Sequence, residues 1–205
     1  MRKWVLGMAF ILFFACGILF WIENFESKCN EVVSKEAVSG EIGEELDCYK
    51  GVKIYNNGKD YVKDYGKNYS KDGYYYGLKW QCVEFVKRFY FDAKGHKMPD
   101  GLGHAKEFFD DSVKQGELNR KRNLLQYRNG DNEKPQADDL IVFTDTYYGH
   151  VTIITEVTDK DIEIIQQNIY GKTRDRLKLV LKDGKYTVGG GKDRSPAGWL
   201  RKGGA

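Results

Sequence analysis

Of the four cysteines, Cys82 holds the position best suited to chemistry. It opens the segment Gln81–Ala93, in which Val83, Val86, Phe89, Tyr90 and Ala93 recur at three- and four-residue spacing with Glu84, Lys87, Arg88 and Asp92 between them. That pattern predicts an amphipathic helix with the thiol in its first turn. Unpaired backbone N–H groups and the helix dipole there favour the thiolate, the nucleophilic form. The same N–H groups suit the oxyanion formed when a carbonyl is attacked. A lone cysteine at a helix start is more often a packed apolar residue, so the chemistry requires a base nearby.

Three histidines compete for that role. His96 follows Gly95 in a charged turn and reads as solvated. His104 stands where a second helix would begin, as a cap or surface residue. His150 follows Gly149 and starts the β-rich run Val151-Thr152-Ile153-Ile154, and a rigid strand edge can hold an imidazole in one orientation. Gln166 and Asn168, two apart on the next predicted strand, share one face of it and supply candidate orienting groups. Pairing His150 with Asn168 sets Thr152 opposite Gln166 and leaves His150 diagonal to Gln166. That register calls for an odd-numbered turn such as Thr158–Lys160, and a slip of one residue would turn His150 to the wrong face. Taken alone, Gln166-Gln167-Asn168 reads equally well as the polar end of a strand.

The elements that must position these groups follow from the same periodicities. The helix at Gln81–Ala93 is joined by a second at residues 104–114, with Ala105, Phe108, Phe109 and Val113 on one side. Pro135 leads into a strand at Leu140–Phe143. His150–Val157 and Ile162–Asn168 flank Thr158–Asp161 as a hairpin, and Leu177–Leu181 and Tyr186–Val188 flank the Asp183-Gly184 turn as another. Trp199-Leu200 makes a last strand. Helices first and an antiparallel sheet afterwards define an α+β domain. Tyr61, Tyr65, Tyr69 and Tyr74–Tyr76, interrupted by glycines, read as a loop, either a substrate platform or ordinary surface packing.

Trp4–Ile22 carries no charge, follows Arg2 and Lys3, and is long enough to cross a bilayer. We read residues 1–22 as a signal anchor with Trp4 and Trp21 at the interfaces and the remainder outside. Lipoprotein processing at Cys16 and simple secretion are the alternatives. Residues 23–50, with eight acids against three lysines, read as an acidic tether, leaving 51–205 as a mildly basic domain. Outside the cytosol Cys29 and Cys48 could join as a disulfide or stay as two thiols, since spacing does not fix the distance between them. No HxxxH or paired-cysteine spacing occurs, so neither a metal nor another cofactor is expected. Nor is a nucleic-acid partner.

Trp80-Gln81-Cys82-Val83-Glu84-Phe85-Val86-Lys87-Arg88-Phe89, Gly149-His150-Val151-Thr152-Ile153-Ile154 and Gln166-Gln167-Asn168 together resemble the CHAP family, the cysteine, histidine-dependent amidohydrolases/peptidases. The resemblance is strongest to the amidase domain of glutathionylspermidine synthetase/amidase. It runs from about residue 65 to Leu200, and Pro135…Asp139-Leu140 resembles the strand entry of papain-like hydrolases. It implies a papain-like (NlpC/P60-type) α+β core with N-terminal helices packed on an antiparallel sheet, here preceded by a transmembrane helix. It also implies Cys82 as nucleophile, His150 as base, Gln166 and Asn168 as their support, and Gln81 and Lys87 as oxyanion or substrate contacts. Gln166 stands where Glu is common, and a neutral amide fixes a tautomer without stabilising imidazolium by charge. Lys87 replaces an arginine and so lacks the planar fork. The implied activity is hydrolysis of an amide in peptidoglycan outside the membrane. A small peptide–polyamine conjugate as substrate, and a catalytically decayed binding domain, are the alternatives.

Overall fold

The computed structural model describes residue 29 and residues 40–99, 103–189 and 194–204. Two hairpins precede the helix: β1 (Glu45–Tyr49) with β2 (Val52–Tyr55), and β3 (Lys67–Tyr69) with β4 (Tyr75–Leu78). The helix α1 spans Cys82–Lys94. After it come β5 (Leu118–Asn119), β6 (Leu124–Arg128), β7 (Leu140–Phe143), β8 (His150–Val157), β9 (Asp161–Ile165), β10 (Arg174–Lys182), β11 (Lys185–Val188) and β12 (Gly198–Arg201). These eight form one antiparallel sheet in the order β11-β10-β9-β8-β7-β12-β6-β5.

The sheet curls until Asp131, just past β6, bridges Tyr186 of β11. Period-two alternation then divides the apolar residues between two cores. Leu140, Val142, Val151, Ile153 and Ile165 face Phe85, Val86 and Phe89 of α1. Ile141, Phe143, Ile154, Ile164 and Trp199 fill the inside of the curl. Strand β7 is therefore buried on both faces, which explains its unbroken apolar run.

Several sequence expectations are corrected here. The described residues contain one α-helix against twelve strands, so the architecture is not a set of helices packed on a sheet. At 104–114 only a short 3-10 turn forms, Ala105–Phe108. Asp110 ends it: its carboxylate accepts bonds from the Ser112 amide and hydroxyl, and its own amide bonds Gln126. Local side-chain bonds of that kind compete with helix continuation. Of the tyrosine-rich stretch, Tyr69 and Tyr74–Tyr76 belong to the β3–β4 hairpin, which closes over the polar side of α1, while Tyr61 and Tyr65 lie before it outside any strand. Gly77 in β4 has φ +148°, and a Cβ there would come within 3.0 Å of the Glu84 Cα. Strand β1 lies within the stretch read as a tether. No helix among the described residues is long and apolar enough to cross a membrane, and the anchor read at 1–22, with Cys16, lies outside the described residues.

Candidate active site

Helix α1 presents Cys82 at its N-terminus after Gln81 in extended conformation. Gly95, in left-handed conformation with φ 58°, ends the helix, its amide bonding the Phe91 carbonyl at 3.1 Å. Strand β8 presents His150. Gly149, at φ +71°, makes that possible: a Cβ would lie 2.5 Å from the Lys106 amide nitrogen and 2.6 Å from the Phe143 carbonyl oxygen. Cys82 and His150 line one cavity of about 700 Å³. The backbone amides of Val151, next to His150, and of Val83 and Cys82 itself act on the Cys82 sulfur to lower its pKa.

The strand register gives His150 its partner. Ile153 pairs with Ile165 and Ile154 with Ile164, the register that leaves His150 diagonal to Gln166. It arises by an unexpected route. Val157 pairs with Ile162 across a four-residue turn, and a bulge at Thr155 takes up the extra residue. His150 Nε2 lies 3.0 Å from Gln166 Oε1. Gln166 Nε2 donates to the Lys172 carbonyl at 3.3 Å, which fixes the amide orientation. The imidazole must then carry its proton on Nε2, leaving Nδ1 as the basic nitrogen.

Asn168 has a different task. Strand β9 ends at Ile165, and Asn168 takes a left-handed φ of 68°, so it does not share a strand face with Gln166. Its Nδ2 donates to Gln81 Oε1 at 2.6 Å and to the Tyr61 carbonyl at 2.8 Å. Gln81 Nε2 in turn donates to the Lys63 carbonyl at 2.7 Å. Gln81 lines the cavity with its side-chain amide already engaged, so the amides of the first helical turn are better placed to stabilise an oxyanion. Lys87 is fully buried away from the cavity, donating to the Tyr75 carbonyl beneath the Tyr74 and Tyr75 rings.

Residues not singled out in the sequence complete the frame. The fully buried Glu84 accepts from Arg88, from Asn68 at 2.8 Å and from Gln167 Nε2 at 2.8 Å. Gln167 also donates to the Gln81 carbonyl and accepts from the Tyr55 amide. Residues 166–168 thus fasten the imidazole, the helix and Gln81 in turn. At the cavity wall beside His150, Arg194 stacks on Phe143 and pairs with Asp145. The spacing of Glu84 and Arg88, i and i+4 on a helix, signalled their pairing but not its burial. His96 is not solvated as expected, whereas His104 is the exposed residue at the start of the 3-10 turn that the sequence suggested. His96 is buried with Nε2 on the Arg122 carbonyl, and His104 lines the cavity edge-on to Tyr148.

Electrostatics correct the expectation of a preformed thiolate. Burial pushes the Cys82 thiol up, outweighing the three amides and Arg194, which pull it down. Burial also lowers His150 to about 4, against the opposing bond from Gln166 and with help from the Arg194 charge. The resting pair is therefore neutral thiol and neutral imidazole, and substrate must trigger proton transfer. Iodoacetamide alkylation of Cys82 is accordingly expected to be slow at pH 7 and to rise with a midpoint above 9. Gln166→Glu, by placing a carboxylate on the imidazole, is expected to accelerate alkylation at pH 7 about tenfold or more. Equal rates in the two proteins would contradict the neutral-pair assignment.

Residues 70–168, which include both Cys82 and His150, match the CHAP domain family. Over 161 residues the chain is 31% identical to a trypanothione synthetase of Crithidia fasciculata, covering 73% of this chain and 24% of that protein. It is 35% identical over 132 residues to the bifunctional glutathionylspermidine synthetase/amidase of Escherichia coli (strain K12), covering 57% of this chain and 21% of that protein. The chain thus aligns with a quarter or less of these curated relatives. The domain and the relatives together support an amidohydrolase.

Proposed function

We propose that this protein is a thiol amidase acting outside the cytosol, cleaving an amide bond of peptidoglycan. The observation that carries the reading is one cavity holding a thiol at a helix start and an imidazole whose tautomer is locked by Gln166. Nδ1 of His150 takes the thiol proton as sulfur attacks the carbonyl, and first-turn amides hold the oxyanion. The same nitrogen then protonates the departing amine, and water, deprotonated by His150, hydrolyses the thioester.

Substrate and compartment rest on separate observations. Tyr61, Tyr147 and Tyr148 at the cavity mouth are exposed by 63%, 73% and 41%, a surface suited to stacking sugar rings and peptide planes. The Cys29–Cys48 disulfide supports an oxidising compartment. The amidase relative favours a second reading, hydrolysis of a peptide–polyamine conjugate. Against it, no Asp or Glu occurs among the described residues lining the cavity, while Arg194 does. A polyamine would meet no carboxylate in that lining, and Asp145, beside it, is already paired with Arg194.

Digesting purified peptidoglycan and glutathionylspermidine in parallel separates the two. The wild type is expected to release new amines from wall and Cys82→Ala none. Release only from the conjugate would select the second reading, and release from neither would leave a binding domain.

A further inference from the structure

Resting on the amidase reading, we propose that Arg194 recognises a carboxylate on the amine-leaving side of the substrate, selecting an amino-acid or peptide leaving group. The geometry beside His150 carries this. Phe143 and His150 are paired across β7 and β8, with ring centroids 6.4 Å apart. The Arg194 guanidinium lies 4.7 Å from the Phe143 ring centroid and lines the cavity. The cation therefore stands on the imidazole side of the cleft. That is where the departing amine must lie, because His150 supplies its proton.

Among the described residues only Asp145 hydrogen-bonds the Arg194 side chain, which leaves a binding edge. Its Nε and Nη2 both bond Asp145, which takes the side-on face of the guanidinium. The end-on Nη1/Nη2 edge points two further N–H groups elsewhere and matches the two oxygens of a second carboxylate. Asp145 and the Phe143 ring pre-orient the fork, so little side-chain entropy remains to be lost on binding. The side chain is 40% exposed, so it is open to a ligand. The groups facing it are Asp145, Phe143 and, by charge, His150 and Cys82. An amine leaving group with an α-carboxylate meets this edge, whereas a cationic amine finds only N–H donors there.

Soluble muropeptides released from wall by a muramidase provide the probe. Half are converted to carboxamides with carbodiimide and ammonia, and amine release is followed from both pools. The wild type is expected to favour the carboxylate pool by about tenfold, the worth of one charge-assisted bidentate pair in a half-exposed site. Arg194→Ala should bring the ratio near one, and Arg194→Lys should leave it between, since lysine keeps charge without the fork. Thermal melting of each variant separates loss of selectivity from loss of fold. Equal turnover of the pools by wild type, or a preference that survives in a folded Arg194→Ala, overturns the assignment to Arg194 alone. Release from neither pool overturns the peptidoglycan-amidase reading on which it rests.

Discussion

Alanine at His150 is expected to lower kcat/KM for amine release from wall peptides by about 10⁴- to 10⁶-fold, as for other nucleophile–base units that act together. Loss of the imidazole removes both the acceptor for the Cys82 proton and the donor to the leaving amine. Because burial keeps Cys82 protonated, no standing thiolate would compensate. The fold should survive at a cost of about 1–3 kcal/mol, chiefly from leaving Gln166 Oε1 without a donor. Comparing turnover with thermal melting distinguishes the two effects, and a turnover loss under about 100-fold in a folded variant would remove His150 from the base role. The wild-type pH profile offers a companion test. The active free enzyme has neutral His150, so kcat/KM should hold as pH falls and decline only near 4. For stability the sign is the same. A histidine held below its unfolded value contributes stability above about pH 6.5 that is lost as pH falls through 4.

Glu84→Ala is expected to give the largest loss of stability. Glu84 is fully buried and Arg88 nearly so, and removing the carboxylate would leave the guanidinium without its counter-charge. Breaking one side of a buried pair costs about 3–5 kcal/mol. Asn68 and Gln167 would lose an acceptor as well. For a chain of this size the melting temperature should fall by about 10 °C. Glu84→Gln, which keeps an oxygen for Arg88 and Gln167, should lose clearly less. Since Gln167 lies between Gln166 and Asn168, the alanine variant should also lower kcat, with a smaller effect on KM. A melt unchanged by Glu84→Ala would show that the network has no structural weight.

The central motifs were legible because their signals are local and periodic. Val83, Val86, Phe89 and Tyr90 announced α1, and Leu140–Phe143, His150–Val157 and the Asp183-Gly184 turn announced the strands that carry and flank the imidazole. Even the parity of the β8–β9 register followed from the demand that His150 meet Gln166. What escaped was decided by contacts distant in sequence. The β1–β2 and β3–β4 hairpins are short, and it is packing against α1 that holds them in place. The apolar spacing at 104–114 was real, but Asp110 and Gln126 redirected it. Burial of Cys82 reversed the sign of the expected thiol activation, and no spacing rule reports burial. Arg194, outside the family match, met the cleft only through tertiary closure.

Strand β12 has a consequence for the order of folding. It lies between β7 and β6, so residues 198–201 complete the hydrogen bonding of a strand laid down some sixty positions earlier. Until that segment leaves the ribosome, β7 has an open edge, and Trp199 is missing from the centre of the inner core. Nascent chains halted before residue 198 should therefore be incompletely structured and sensitive to protease, with Cys82 and His150 already synthesised but not yet held together. The active site is then a late product of folding, assembled only after residues 198–201 have emerged.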